Sequence, residues 1–520
     1  MKNANLKIRW WPAVLIILFA ASVLTMVWAW PETQRQQRYL RSAGVVLVSG
    51  FLLLIWLLLF SRTRWKIRLA FCAIVILGIG GPAVLLRIRG VNGDLLPILE
   101  PRWKAKESLP ENQRQPAGGL VQPSPKTALA GFPQFMGPAR NGVLAGPELE
   151  TNWSRYPPQI LWRKPLGSGW SGFAVQDGLA VTLEQSGDNE SVVCYDAITG
   201  ATIWSHAYPA RYATTIAGEG PRSTTTIQDH RVYSFGATGI LKCIDLAAGN
   251  VIWTKDAVQE SGARIPDWGF ASSPLVTGGE VIVSVGGADG PLRAYAAQDG
   301  KLVWASGRGG PDYSSPVFAS FLGTPQIVDF STVGVVGHAM DGKVLWEYPW
   351  PGGHPHISLP IVVSSNLFVA SSGYGTGAEL VRLDHDPRDP GGRWNGSRVW
   401  KSIGLKSKFG PLFHYGECVY GLDDGILTCL ELKTGQRRWK DGRYGHGQGL
   451  LVHDLLLLTS EGGEVILIKP NPEKLMELGR FRVFSEKTWN PPALAGEYLL
   501  VRNDQEAACL QLRTRNRAKE

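Results

Sequence analysis

The sequence is poor in cysteine, and its first part is poor in negative charge. It has six cysteines in 520 residues, and no Cys-x-x-Cys-His stretch occurs, which excludes a covalently attached c-type haem. Residues 1–90 contain one acidic residue, Glu32, against twelve Lys and Arg, so they carry +11. Because the whole chain carries +9, the remaining residues carry −2. A nucleic-acid surface is therefore not expected on them, and no nucleic-acid partner is predicted.

Three apolar runs of about 18–20 residues, each long enough to span a bilayer as a helix, lie in this basic part. They are Trp11–Trp30, Ala43–Phe60 and Ile67–Leu86. The first run could instead be a signal peptide, but no small-residue cleavage site follows it. The third could be re-entrant, because Gly78–Pro82 weakens its helix. Residues 1–90 are predicted to be a membrane anchor with three transmembrane helices, in contact with bilayer lipid.

Basic residues predict the orientation of the anchor. Lys2, Lys7 and Arg9 precede the first run, and four basic residues between 62 and 68 separate the second run from the third. The positive-inside rule therefore favours a cytoplasmic N-terminus. We expect a multi-pass protein of the inner (cytoplasmic) membrane with residues after the third run on the extracytoplasmic side.

A strand–turn–strand unit recurs through the rest of the chain. Its first copy is Val193–Trp204, VCYDAITGATIW, in which Asp196 suits an Asx turn and Gly200 supplies a positive φ. The closing Trp204 is a large apolar side chain suited to packing between layers. Four further copies with a turn glycine and a tryptophan are Leu241–Trp253, Leu292–Trp304, Val335–Trp346 and Leu427–Trp439, and looser copies lie at 380–400, 465–468 and 508–512.

Repeats of roughly 40–50 residues built from short strands are typical of a β-propeller with one four-stranded sheet per blade. Residues around Trp162 look like a last strand without its first three, and the C-terminal copy lacks its last strand. Pairing the two closes the ring with eight blades and leaves no open sheet edge. The predicted fold is all-β, an eight-bladed propeller over residues 132–520, joined by an extracytoplasmic linker at 91–131 to the transmembrane helices.

The repeated turn-Gly-Trp unit resembles the tryptophan-docking repeats of the pyrrolo-quinoline quinone (PQQ) propellers. That family includes quinoprotein alcohol dehydrogenases and the propeller lipoprotein of outer-membrane assembly. The likeness covers about residues 132–512, and it includes the stretches Pro133–Gly142, Ser371–Gly377 and Val501–Asp504. Proteins with this fold include enzymes, scaffolds and binding proteins. The resemblance therefore implies the fold, and the function has to be inferred from the residues of the site.

The resemblance sets a test for the enzyme interpretation. Dehydrogenases of this kind carry an adjacent Cys-Cys pair, a calcium held by carboxylates and an Asn, and an Asp base. No Cys-Cys pair occurs here, and the acids near the predicted axis are Glu219, Asp267, Asp312 and Glu486. We therefore expect a non-catalytic binding or scaffold module, with a PQQ-dependent oxidoreductase using PQQ and calcium as the alternative. A sensor that signals through the helices is a third interpretation, but the sequence has no cytoplasmic output domain.

The segments that lead into the innermost strand of each blade lie at one mouth of the axial channel of a propeller. Here they combine glycines with one aromatic or basic side chain each, which predicts a cationic, aromatic ring at the mouth. Such a ring suits an anionic planar ligand or an envelope protein. The alternative is that these side chains only fill the channel. The predicted ring is Trp170, Arg222, Trp268, Tyr313, His356, Lys408, His446 and Trp489.

Other candidate sites carry weaker chemistry. His354 and His356 would share a face of a strand but lack a third metal ligand. Residues 384–393 lack the spacing of a calcium loop, and a solvated turn is expected. Cys194, Cys243, Cys429 and Cys509 take equivalent places in different blades and are expected to be small buried side chains. Cys418 and Cys429 flank one turn, which leaves a disulfide between them open.

Overall fold

The computed structural model describes residues 8–30, 34–103, 129–386, 388 and 392–515. Residues 104–128, most of the predicted linker, lie outside this part. The described chain divides into two compact units, one with the N-terminal helices and one with the propeller.

The N-terminal unit contains three helices that are long and apolar enough to cross a membrane. They are α1 Trp11–Ala29, α2 Arg35–Ile55, which continues as a π-helical turn Trp56–Phe60, and α3 Trp65–Leu85. The second helix begins eight residues before the predicted apolar run, because the arginine-rich stretch from Arg35 is helical as well. The hairpin β1 Leu86–Val91 and β2 Pro97–Pro101 follows α3 directly. Its first strand lies at the end of the stretch predicted as membrane anchor, and its second lies in the stretch predicted as linker.

The propeller has eight blades, as the repeat count predicts. Blades 1 to 6 are four-stranded antiparallel sheets in simple sequence order, and their chain runs outward from the innermost strand. Blade 7 has the same four antiparallel strands and gains a fifth, β3 Val143–Leu144, which pairs in parallel with its innermost strand. Blade 1 contains β5 Ala174–Gln176, β6 Leu179–Ser186, β7 Asn189–Asp196 and β8 Thr202–Pro209, and blade 2 contains β11 Thr226–Gln228, β12 Arg231–Phe235, β13 Ile240–Asp245 and β14 Val251–Asp256. Blade 3 contains β15 Leu275–Thr277, β16 Glu280–Ser284, β17 Leu292–Ala296 and β18 Leu302–Ser306. Blade 4 contains β19 Val317–Phe321, β20 Thr324–Ser331, β21 Gly334–His338 and β22 Val344–Pro349.

Blades 5 to 7 continue the ring. Blade 5 contains β23 Ile361–Ser364, β24 Leu367–Ser372, β25 Gly377–Asp384 and β26 Asn395–Ser402. Blade 6 contains β27 Phe413–Tyr415, β28 Cys418–Asp423, β29 Ile426–Glu431 and β30 Arg437–Arg443. Blade 7 contains β31 Gln448–Val452, β32 Leu455–Thr459, β33 Glu464–Ile468 and β34 Glu477–Arg482. The short elements between or beside blades are β3 Val143–Leu144, β9 Ala213–Thr214, β10 Gly218–Glu219 and helix α4 Ala257–Ser261.

Blade 8 closes the ring with strands from both ends of the propeller sequence. It combines β35 Ala493–Ala495, β36 Tyr498–Arg502 and β37 Glu506–Gln511 with the outermost strand β4 Gln159–Pro165. Cys509 lies opposite Trp162 in this pairing. The predicted closure is confirmed.

The repeated turn and tryptophan join neighbouring blades. Asp196 accepts backbone N–H bonds from Ile198 and Thr199 at 3.0 and 2.8 Å, and Gly200 has φ +71°. A Cβ on Gly200 would lie 2.7 Å from the Trp162 ring, so the glycine leaves room for the tryptophan of the preceding blade. Five tryptophans donate their indole N–H to a backbone carbonyl of the next blade: Trp162 to Ala197, Trp204 to Leu246, Trp253 to Ala297, Trp400 to Leu432 and Trp439 to Asn471.

The cysteines of the propeller lie inside the sheets. Cys194, Cys243, Cys418, Cys429 and Cys509 are buried, and all five are free thiols. Cys418 lies opposite Glu431 and Cys429 opposite Tyr420, so the two thiols are diagonal neighbours on adjacent strands. Burial raises the pKa of Cys429 to about 12, which keeps this thiol protonated and unreactive.

Candidate functional site

One end of the axial channel is closed by the chain itself. Residues 132–144, here called the plug segment, lie across the inner strands of several blades. The segment ends in β3, which pairs in parallel with the last two residues of the inner strand β31. That end of β31 lies opposite the segments that lead into the inner strands, so the plug segment closes the end opposite the mouth. Its backbone contacts are Phe132 with Val175, Pro133 with Ile227 and Gly142 with Leu451.

Arg140 fixes the plug segment in place. Its side chain is buried and donates to the backbone carbonyls of Ser273, Pro274 and Pro316, with 2.9 Å to Pro274 and 2.7 Å to Pro316. These carbonyls lie immediately before the inner strands β15 and β19 of blades 3 and 4. Burial lowers the pKa of Arg140 to about 9, which leaves the guanidinium charged at neutral pH.

Small hydroxyl side chains line the channel above the plug and link one blade to the next. The N–H of Gly172 donates to Thr224 Oγ1 at 3.1 Å, the N–H of Thr224 to Ser273 Oγ at 2.9 Å, and the N–H of Ser273 to Ser315 Oγ at 2.9 Å. On the other side of the ring, Ser358 Oγ donates to Ser407 Oγ at 2.9 Å. These bonds satisfy inner-strand groups that have no sheet partner on the channel side.

An aromatic cluster fills the mouth. The rings of Trp170 and Trp489 are 5.2 Å apart, and Trp489 is 5.3 Å from Phe409. Phe409 continues the chain of contacts to Trp268 at 6.4 Å, whose ring lies 5.0 Å from Tyr313. Five rings from segments of blades 1, 3, 4, 6 and 8 therefore pack as one connected set, which we call the mouth cluster.

Phe409 was not among the predicted ring residues. It follows Lys408 in the same segment, and it is the residue that contacts both sides of the mouth cluster. It also lies 5.3 Å from the His446 ring, and the Lys408 ammonium lies 5.3 Å from its centroid. The sequence signal was the adjacent pair Lys408 and Phe409, but the predicted ring includes only the lysine.

Cations surround the mouth cluster. The Lys487 ammonium lies 3.9 Å from the Trp489 centroid and 4.5 Å from that of Trp170. Glu461 provides a negative charge at the same place. Its carboxylate accepts hydrogen bonds from Trp489 Nε1 at 3.0 Å and from the His446 backbone N–H at 3.1 Å. The Trp170 indole N–H is buried and has no hydrogen-bond partner in the described part of the chain.

Four predicted ring residues are not members of the mouth cluster. Lys408 and His446 contact its Phe409 ring, whereas the side chains of Arg222 and His356 pack elsewhere. Arg222 packs over Tyr212 at 4.7 Å and donates to carbonyls of its own segment, Gly218 and Gly220. Burial lowers its pKa to about 10. His356 is buried and stacks on Phe330 with 4.4 Å between ring centroids. It therefore does not face the mouth as predicted for a ring member.

His356 belongs to a buried carboxylate–imidazole cluster. Its Nδ1 lies 3.0 Å from Asp312 Oδ2, and its backbone N–H donates to Asp312 Oδ1 at 2.9 Å. Although burial opposes it, the bonds to Asp312 and to nearby carbonyls raise the pKa of His356. Burial raises the pKa of the neighbouring Asp329 to about 7, and repulsion by Asp312 adds to this. Asp329 Oδ2 has no hydrogen-bond partner among the described residues.

The mouth does not fit PQQ with calcium. The rings of the mouth cluster pack on one another with centroids 5.0–6.4 Å apart, which leaves no gap for a planar quinone between neighbouring rings. Asp312, one of the four candidate carboxylates, holds His356, and Glu461 beside the cluster, which was not a candidate, accepts from Trp489 and His446. In the part of the chain that the structure describes, no group of three His, Cys, Asp or Glu residues could hold a metal ion.

Comparison with known proteins agrees with this fold. The family model described as outer membrane protein assembly factor BamB matches residues 158–260 and 188–441. The chain belongs to this family of PQQ-like propellers. A curated relative, outer membrane protein assembly factor BamB of Shewanella oneidensis, is 23% identical over 296 residues, which cover 54% of this chain and 71% of that protein.

Solved structures of the same fold include both a BamB and a dehydrogenase. BamB from Moraxella catarrhalis is 16% identical with a TM-score of 0.49, covering 68% of this chain and 97% of that one. Quinohemoprotein alcohol dehydrogenase from Comamonas testosteroni is 13% identical with a TM-score of 0.52, covering 77% and 82%. At 13% identity, the likeness to the dehydrogenase shows the propeller fold alone.

Proposed function

We propose that this protein is a membrane-anchored propeller of the cell envelope that binds a partner protein without catalysing a reaction. The observation that carries the proposal is the mouth cluster, in which rings from five blades and the Lys487 ammonium form a packed surface in place of an open cofactor pocket. Aromatic side chains with nearby cations are typical of protein-binding surfaces.

The family supports the same function. The relative from Shewanella oneidensis is named as an outer membrane assembly factor, and three helices long enough to span a membrane would hold the propeller at the envelope. We infer that the partner is an envelope protein with acidic and planar side chains that complement the partly exposed rings of the mouth cluster, beside which the buried Lys408 and Lys487 place positive charge. The basic residues before the first helix and between the second and third support, by the positive-inside rule, an extracytoplasmic propeller anchored in the inner membrane.

Site-specific photo-crosslinking in cells tests the proposal. A photoreactive residue replaces Trp268, which is partly exposed at the mouth, and a control replaces Leu302, which is 47% exposed on the outer strand β18. We expect one discrete protein adduct from position 268 and none from position 302. The same adducts at both positions, or none at 268, would refute binding at the mouth.

The alternative function is a PQQ-dependent oxidoreductase. It is not favoured, because a bound quinone would first have to displace Phe409 from its contacts with Trp489 and Trp268.

A further inference from the structure

A polar cleft of about 370 Å³ lies at the opposite end of blade 8 from the mouth. Its walls come from Tyr156 and Gln159 at the start of the closing strand β4, from Gln511 and Arg513 at the end of β37, and from Glu497 in the hairpin between β35 and β36. The mouth segment of this blade precedes β35, whereas the hairpin follows it. The cleft is therefore a separate site from the mouth cluster.

Two guanidinium groups converge on one ring in this cleft. The centre of the Arg513 guanidinium lies 4.1 Å from the Tyr156 centroid, and that of Arg155 lies 5.1 Å from it. Among the residues that the structure describes, no carboxylate lies within 4.0 Å of either group, although the cleft contains Glu497. The Glu497 carboxylate instead accepts from Gln511 Nε2 at 2.7 Å.

Two other arginines, one on blade 8 and one on blade 7, have acidic partners. Arg163, four residues after Gln159 on β4, pairs with Glu506 at 2.6 Å. Arg480 of blade 7 pairs with Glu464 at 2.8 Å and Glu477 at 2.9 Å. The two guanidinium groups at Tyr156 thus outnumber the single carboxylate that lines the cleft, Glu497, and stacking on the ring holds both planar groups ready for bidentate hydrogen bonds.

We propose that this cleft binds the carboxylate of an acidic peptide segment. The two guanidinium groups would hold the carboxylate through charge-assisted hydrogen bonds. The amide side chains of Gln159 and Gln511 offer donors and acceptors for the peptide backbone beside it, which a simple phosphate ion would not use. The inference does not depend on the mouth cluster or on its proposed partner.

Fluorescence polarisation with the full-length chain in detergent tests the proposal. The probe is a labelled hexapeptide of alternating Gly and Glu, compared with the same peptide in which Gln replaces Glu. The test variant is the double substitution Arg155→Gln and Arg513→Gln. The control is Arg308→Gln with Arg388→Gln, which removes the same charge from two exposed arginines that pair with Glu347 and Asp386.

We expect saturable binding of the Glu peptide, at least about tenfold weaker binding of the Gln peptide, and at least about a tenfold loss in the cleft variant. The control variant should bind within about twofold of wild type. No saturable binding, or equal losses in the two variants, would overturn the proposal. Complete displacement of the peptide by an equal concentration of inorganic phosphate would also overturn it, because the site would then select an anion and not a peptide.

Discussion

Arg502 offers the sharpest test of how the ring is closed. It is buried in β36 of blade 8, yet its guanidinium reaches blade 1. It donates to Thr182 Oγ1 at 2.7 Å, to the Leu183 carbonyl at 2.9 Å and to the Gly167 carbonyl at 3.1 Å. The substitution Arg502→Met keeps most of the side-chain volume but leaves these acceptors buried and unpaired.

The expected cost follows from those three bonds. A hydrogen bond to a charged group contributes about 1.5–3 kcal/mol, and the contributions of neighbouring bonds are not additive. We therefore expect Arg502→Met to lower the free energy of unfolding by about 3–5 kcal/mol, the range found when one partner of a buried charged network is removed.

Urea unfolding of the full-length chain in detergent, followed by tryptophan fluorescence, measures this loss. The control is Arg482→Met, because Arg482 is exposed and pairs with Glu464 at the surface, where a salt bridge contributes at most about 1 kcal/mol. If Arg502→Met unfolds at the same urea concentration as the control, the guanidinium does not hold blades 8 and 1 together.

Three further predictions address docking, pH and topology. Trp204→Ala should lower the free energy of unfolding by about 3–5 kcal/mol, because it removes a buried ring that bonds to Leu246 of the next blade; a wild-type unfolding curve would contradict the docking role. The pKa of Asp329 is raised to about 7 in the folded protein, so this carboxyl should reduce stability as pH rises from about 4 to about 7. Asp329→Asn should flatten that part of a stability-against-pH curve, and an unchanged curve would refute the assignment. A phosphatase fused after Gly131 should be active and one fused at Thr63 silent; the reverse result would invert the predicted orientation.

The sequence repeat was enough to predict the fold, because the turn glycine and the tryptophan that join neighbouring blades lie within a few residues of each other in every copy that has both. Gly200 needs a positive φ and room for Trp162, so the spacing of turn glycine and tryptophan records the packing between blades. The closure by Trp162 followed from counting strands, since a propeller leaves no sheet edge open. The strands β1 and β2 were missed although Asn92-Gly93 is a hairpin-turn signal, because residues 86–101 stand between an apolar run and a linker-like composition.

The site could be predicted only in part. Any propeller places the segments before its inner strands at one mouth, so Trp170, Trp268, Tyr313 and Trp489 were found from sequence order. Which side chains reach across the axis depends on the tertiary structure, and Phe409 was therefore missed. His356 was placed in the ring although it turns inward to Asp312.

The role of the plug segment was also hidden in the sequence. The stretch around Arg140 resembles a family lead-in, but nothing local shows that its guanidinium would find three carbonyls of blades 3 and 4. A basic residue within a Gly-Pro-rich stretch is typical of an exposed turn. Its burial follows only from closure of the ring around it.

A calorimetric titration of the full-length protein with PQQ in the presence of calcium tests the central claim most directly. The account predicts no saturable heat, because Phe409 and the rings beside it fill the mouth. Stoichiometric binding that is lost in Trp489→Ala, together with dye-linked oxidation of an alcohol, would contradict a non-catalytic binding function.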